Sequence, residues 1–187
     1  MAAQRSGAGL VTLGVPTGIS NIMENLLIEV MTAPLQETVN GTLSNNAISS
    51  IWGYAKKAQS IAIGPGLAEK EEIKDILLSL MKQYEGTLVI DADGLNAIST
   101  QPEVLTQAST AALILTPHYG EMSRLSGIPI SKIKKDPIEI AREMAQSWQV
   151  VLVLKGNPTV IADPQGTVYI NPTGNEGMAT GGTGDIL

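Results

Sequence analysis

Cysteine is missing from all 187 residues, which rules out disulfides, thiolate chemistry and Cys-type zinc sites. Phenylalanine is missing too, aromatics reach only 3%, and there is one histidine, His118. One histidine and no cysteine leave nothing from which to build a His-rich metal site. Nucleic-acid binding usually needs a basic footprint and stacking platforms. With 12 Lys+Arg against 18 Asp+Glu and a net charge of −6, neither is visible, and no nucleic-acid partner is expected. No apolar run approaches the length of a bilayer span. The opening "MAAQRSGAGLVTLGVP" shows no long apolar stretch behind a basic flank. The expectation is a cytoplasmic protein with no membrane partner. What is present is 43% hydrophobic residues against 16% charged ones, enough for one ordinary domain with a real core.

Short runs rich in Val, Ile and Leu recur: "LVTLGV" (10–15), "SIAIGPG" (60–66), "TLVIDADG" (87–94), "AALILTPH" (111–118) and "VVLVLKG" (150–156). Segments of helical period lie between them, at 43–58, 69–84 and 136–148. In the second of these, Ile73, Leu77, Leu80 and Met81 share one face, with charges opposite. Near-continuous apolar strands alternating with helices predict an α/β fold, with a mostly parallel sheet covered by helices on both faces. Later, "VVLVLK", "TVIA" and "TVYI" follow too closely for helical crossovers, and "DPQG" at 163–166 suits a turn. That predicts an antiparallel meander near the C-terminal end. With no repeat or linker visible, residues 1–187 read as one domain.

The polar motifs fall at strand ends, where open α/β sheets bind ligands. "ATGGTGDIL" holds Gly181, Gly182 and Gly184 before Asp185. Such glycines let N–H groups converge on a phosphate, with the acid placed to take a proton; alternatively this is a plain glycine loop with Asp185 as a helix cap. Lys155 in "KGNPT" either meets a phosphate, lines an entrance, or stands exposed in a hairpin. His118 heads "TPHYGEMSRLSG", where Glu121 and Arg124 have the spacing of a surface helix pair. Asp91 and Asp93 of "DADGLN" either serve Mg2+ or a ribose, or satisfy loop and helix-start N–H groups. "GPGL" at 64–67 is either a close ligand approach or a tight turn.

Taken in order, IGPGL, VIDADGLN, TPHYGEMSRL, LKGNPTVI and GNEGMATGGTGDIL resemble the dehydratase domain of NAD(P)H-hydrate repair enzymes, in the ribokinase-like superfamily. GGTGD alone would mark only the superfamily; TPHYGE with GNEGMATGGTGD narrows it. The resemblance implies a nucleotide-dependent hydro-lyase acting on hydrated NADH and NADPH (NADHX and NADPHX). It would phosphorylate the C6 hydroxyl from ADP or ATP with Mg2+, then eliminate phosphate. The TPH variant is similar to the bacterial, ADP-using branch.

By the same resemblance Asp185 is the base and also touches the hydrate. Gly66, His118, Tyr119, Gly120, Glu121, Met122, Ser123 and Arg124 hold the damaged cofactor. Lys155, Gly156, Asn157, Pro158 and Thr159 surround the nucleotide, together with Asn175, Glu176, Gly177, Met178, Ala179 and Thr180. Gly181, Gly182, Thr183 and Gly184 form the anion hole. A homo-oligomer, as a tetramer, is also implied. Against the family pattern the chain is short at both ends, so it is expected to be a fragment of low activity. An absent front strand would leave an unfilled slot with unpaired edges and exposed apolar surface. A ribokinase-like small-molecule kinase and a non-catalytic nucleotide-binding module stay open as rival readings.

Overall fold

Apolar runs become strands and amphipathic segments become helices in the computed structural model, which describes residues 1–68, 70–174 and 177. The chain runs through α1 (Ala2–Arg5), β1 (Thr12–Pro16), α2 (Ser20–Leu26), β2 (Met31–Leu35), α3 (Ala47–Ala55) and β3 (Ser60–Ile63). It continues with α4 (Glu71–Gln83), β4 (Thr87–Ile90), α5 (Asp93–Ile98), β5 (Ala112–Leu115), α6 (Tyr119–Ser126) and α7 (Ile130–Lys135). The last elements are α8 (Pro137–Trp148), β6 (Val151–Leu154), β7 (Thr159–Ala162) and β8 (Val168–Asn171).

The two longest helices show why they start and stop where they do. In α4, Glu71 and Glu72 occupy the first turn and Lys82 the last, each charge opposing the helix dipole. Its inward face carries Ile73, Ile76, Leu77, Leu80 and Met81, all buried; full burial of such a side chain is worth about 1.5–3 kcal/mol. In α8, Asp136 caps by accepting the Glu139 N–H at 3.3 Å, and Pro137 takes the first helical position, where no N–H is needed.

Six strands form one sheet in the order β3-β4-β5-β6-β7-β8. β3 to β6 are mutually parallel, and β7 and β8 are antiparallel additions. This is the expected mostly parallel sheet with its meander. The expected 163–166 turn is closed by Gly166 N–H donating to the Asp163 carbonyl at 3.0 Å. Leu88, Ile90, Leu113, Leu115, Leu152, Leu154, Val160 and Ala162 are buried in one apolar cluster with residues of α4 to α8. Their neighbours along each strand, such as Val89, Ile114, Val153 and Ile161, are half-buried.

β1 and β2 form a separate parallel pair, and β2 does not hydrogen-bond to β3. Apolar residues around this pair are exposed, Leu10, Leu26, Ile28 and Met31 among them. β2 and α2 went unread in the sequence. Pro34 sits inside β2, and an internal proline argues against a strand unless an edge accommodates it. No helix of the described residues is long and apolar enough to cross a membrane.

Candidate active site

The carboxyl ends of β3, β4, β5 and β6 line up because parallel strands share a direction. Their tips carry Gly64 to Gly66, Asp91 to Asp93, Thr116 to His118, and Lys155. The tips of β5 and β6 are joined directly: Lys155 N–H donates to the Pro117 carbonyl at 2.8 Å, next to a bridge between His118 and Lys155. Tyr119 packs so closely on Gly156 that a Cβ there would lie 2.5 Å from the phenol oxygen. The segments expected to hold the hydrate and the nucleotide therefore touch.

His118 is the N-cap of α6. Its Nδ1 accepts from the Gly120 and Glu121 N–H groups at 2.9 and 3.1 Å, and the Glu121 carboxylate accepts the His118 N–H at 2.8 Å. This reciprocal box starts the helix directly after Pro117. Because Nδ1 accepts, the ring proton belongs on Nε2, which lies 3.4 Å from Glu121 Oε1.

Glu121 is only 6% exposed, and a buried carboxylate needs partners. Besides the His118 N–H, it faces the Lys155 ammonium at 3.8 Å. That ammonium is bound more tightly by Asp91, at 2.7 Å from Oδ1. One lysine thus stands between two carboxylates, Asp91 from the β4 tip and Glu121 from the first turn of α6.

The remaining candidates are tied in through α5. Asp93 accepts the Ala68 N–H at 2.9 Å, fixing the loop that carries Gly66. Arg124 Nε donates to Asn96 Oδ1 at 2.9 Å. The surface pair expected between Glu121 and Arg124 is therefore not formed, because each has a partner elsewhere. Asp93 satisfies a loop N–H, supplied from outside its own helix.

Lys155 is neither exposed nor free, which corrects the hairpin reading, although the β6–β7 hairpin itself is present. Met122 has no exposed surface and belongs to the core, where it supports α6 from beneath. Thr116 is buried at the β5 tip, and its hydroxyl has no hydrogen-bond partner among the described residues, leaving one polar demand open at the rim. From Asn175 onward only Gly177 is described, and it is exposed. Residues 175, 176 and 178–187, Asp185 and the GGTG run among them, lie outside the described residues.

Among the described residues no group of three His, Asp or Glu side chains is placed to hold a metal ion. The two acids nearest the rim centre face an ammonium instead. Mg2+ is ordinarily held by one or two carboxylates together with nucleotide phosphates, so a dedicated protein cage is neither present among the described residues nor required.

Comparison with known proteins bears on the same residues. The chain is 47% identical over 186 residues to the bifunctional NAD(P)H-hydrate repair enzyme Nnr of Moorella thermoacetica, covering 100% of this chain and 35% of that protein. The crystal structure of ADP/ATP-dependent NAD(P)H-hydrate dehydratase from Bacillus subtilis, co-crystallized with ATP/Mg2+ and soaked with CoA, superposes with TM-score 0.77 at 34% identity. That match covers 99% of this chain and 63% of that one. A ribokinase-like superfamily protein of Enterococcus faecalis matches with TM-score 0.80 at 27% identity, covering 99% and 60%. The chain thus spans about a third of the length of the curated repair enzyme it matches, and under two thirds of these two solved chains. The family model for NAD(P)H-hydrate dehydratase matches residues 1–187. This chain belongs to the NAD(P)H-hydrate dehydratase family.

Proposed function

We propose that the protein repairs hydrated NADH and NADPH at the rim formed by the tips of β3 to β6, with ADP or ATP as phosphoryl donor. The observation that carries this is the direct join of the His118–Arg124 and Lys155–Thr159 segments. Phosphoryl transfer requires both reactants within bonding reach, and these two segments are the ones expected to hold them.

In the proposed reaction Asp185 takes the proton of the C6 hydroxyl. The oxygen attacks the terminal phosphorus of the nucleotide, and the bond from that phosphorus to the bridging oxygen breaks, releasing AMP from ADP. The ring nitrogen then pushes its lone pair toward C6, the C6–O bond breaks, and phosphate leaves. Loss of a proton from C5 restores the double bond. The roles assigned to this chain are positional: the 155–159 turn holds the nucleotide, the 118–124 segment and Gly66 hold the hydrate, and the GGTG amides receive the moving group. Mg2+ enters with the nucleotide phosphates, with no step routed through a protein-held ion.

Two finer parts of the proposal rest on other grounds. A cytoplasmic location is supported by the cysteine-free chain, and a homo-tetramer by family resemblance.

The test is to mix the full-length protein with NADHX and ADP and follow the return of the NADH absorbance. We expect turnover that Asp185→Asn reduces by on the order of 10²–10⁴, the usual weight of a general base. A phosphorylated hydrate that accumulates without NADH would replace this reading by a small-molecule kinase. Turnover with ATP but none with ADP would overturn the preference for ADP that the TPH motif suggests.

A further inference from the structure

The ammonium of Lys155 is held in place before any ligand arrives, and the residue that holds it is Asp91. The pair joins the tips of β4 and β6 across β5, between residues 64 positions apart, at 2.7 Å. Both side chains are largely shielded, at 24% exposed for Lys155 and 14% for Asp91.

Asp91 is itself held from two sides. A Cβ on Gly64 would lie 1.7 Å from the Asp91 carbonyl oxygen, so the β3 tip presses against the Asp91 main chain. On the other side Ala92 adopts φ 48° and ψ −120°, a conformation that L-residues avoid. Asp91 N–H donates to Ile63, and its carbonyl accepts from Gly94. A strained main chain fixed at both ends gives its side chain little freedom. Glu121 adds a second carboxylate at 3.8 Å from the same ammonium, and Glu121 is locked in the box that starts α6.

We propose that Asp91 is a positioning residue for the nucleotide, acting through Lys155. It aims the ammonium at the rim and anchors the start of the 156–159 turn. The proposal rests on the assignment of residues 155–159 to the nucleotide. Two effects of removing the Asp91 charge oppose each other. Losing a negative charge at the rim favours an anionic ligand. Freeing a four-carbon stem means it must be ordered again when the ligand binds. Glu121 keeps a carboxylate beside the lysine in either case, so the change in local charge is partial while the loss of the short contact is complete. Weaker nucleotide binding is the expected net result.

The experiment is a calorimetric titration of ADP into the full-length protein and into Asp91→Asn, Lys155→Met and the double variant, with melting temperatures recorded for each. ADP should bind Asp91→Asn about tenfold more weakly than wild type, the scale of one charge-assisted hydrogen bond. The double variant should bind no more weakly than Lys155→Met alone, because Asp91 acts only through that lysine. In turnover, Asp91→Asn should raise the KM for ADP with kcat within about twofold. Unchanged or tighter ADP binding by Asp91→Asn, or multiplied losses in the double variant, would overturn the assignment. If Asp91→Asn does not fold, Lys155→Arg reads the same pair: it should bind ADP more tightly than Lys155→Met, and equal affinities would defeat the proposal. Wild-type protein that does not bind ADP would bring down the functional reading itself; wild-type binding with an indifferent Asp91→Asn brings down this inference alone.

Discussion

The two sheets of this chain obey the same pairing rule and differ in what covers them. β1 and β2 run parallel over five paired positions, and β3 and β4 over four. Yet Leu13 is 37% exposed in β1, while Leu88 and Ile90 of β4 are fully buried. Apolar residues around the small sheet, such as Leu10 and Ile28, stand in solvent. Parallel pairing alone therefore does not make a core. The ladder satisfies backbone groups in both sheets, but the free energy of apolar burial accrues where helices close over the strands. β3 lies at the boundary: every second residue is exposed, against a half-buried and buried alternation in β4, β5 and β6.

Backbone crowding offers the largest separation between the two regions. Gly64→Ala puts a Cβ 1.7 Å from the Asp91 carbonyl oxygen, at φ +141°. No rotamer relieves that clash, since the obstructing atom is main chain. We expect a loss of more than about 3 kcal/mol in denaturant unfolding, or failure to accumulate as soluble protein. Gly14→Ala in β1 meets Leu35 Cδ1 at 2.8 Å, the tip of a side chain rather than main chain, though one packed in the core cluster. Its loss should be smaller, about 1–3 kcal/mol. Similar losses at the two positions would erase the distinction between a rigid strand-tip rim and a yielding small sheet.

Side-chain truncation sharpens the same contrast on a smaller scale. Leu88→Ala opens a cavity in the cluster that includes Leu77, Leu115 and Leu152 and should cost about 2–5 kcal/mol. Leu13→Ala removes a side chain that water already reaches and should change stability by no more than about 0.5 kcal/mol. If chemical denaturation of the full-length protein gives equal losses, the β1–β2 face is covered in solution as thoroughly as β4.

The same division governs what could be read from the sequence. β4, β5 and β6, whose alternate residues are buried, announced themselves as Val/Ile/Leu runs, and α4 through the spacing of Ile73, Leu77, Leu80 and Met81. β2 and α2 did not, because MTAPL carries a proline and SNIMENL has no buried apolar face to impose a period. At the site, the motifs marked Lys155, His118 and Glu121 as chemically unusual. They could not show that Asp91 and Lys155 meet, since that follows from the order of strands in the sheet. Nor could they show that Met122 points inward while Glu121 beside it faces Lys155. Adjacent helical residues diverge by about 100°, and which of them reaches the rim depends on how α6 docks.

The smallest effect concerns an edge that does hold without much cover. β8 is half-buried only at Val168, with Tyr169, Ile170 and Asn171 exposed, so it resembles β1 in its exposure. Its difference from β1 is the turn behind it. The Asp163 carboxylate accepts the N–H groups of Gln165 and Thr167 at 2.9 and 2.8 Å. Slight desolvation pushes the Asp163 carboxyl up, but these donors outweigh it and hold it below its ordinary value. A carboxyl depressed in the folded state stabilises at every pH above its unfolded value of about 3.9, and the contribution is lost as pH falls through the lower folded value. Asp163→Asn should therefore be slightly less stable than wild type at neutral pH, and the gap should close in the window below about pH 4. Unfolding curves measured at neutral pH and at successively lower pH read this directly. A gap that persists unchanged into strong acid would mean that the turn, and with it the β8 edge, is held by backbone geometry rather than by the Asp163 charge.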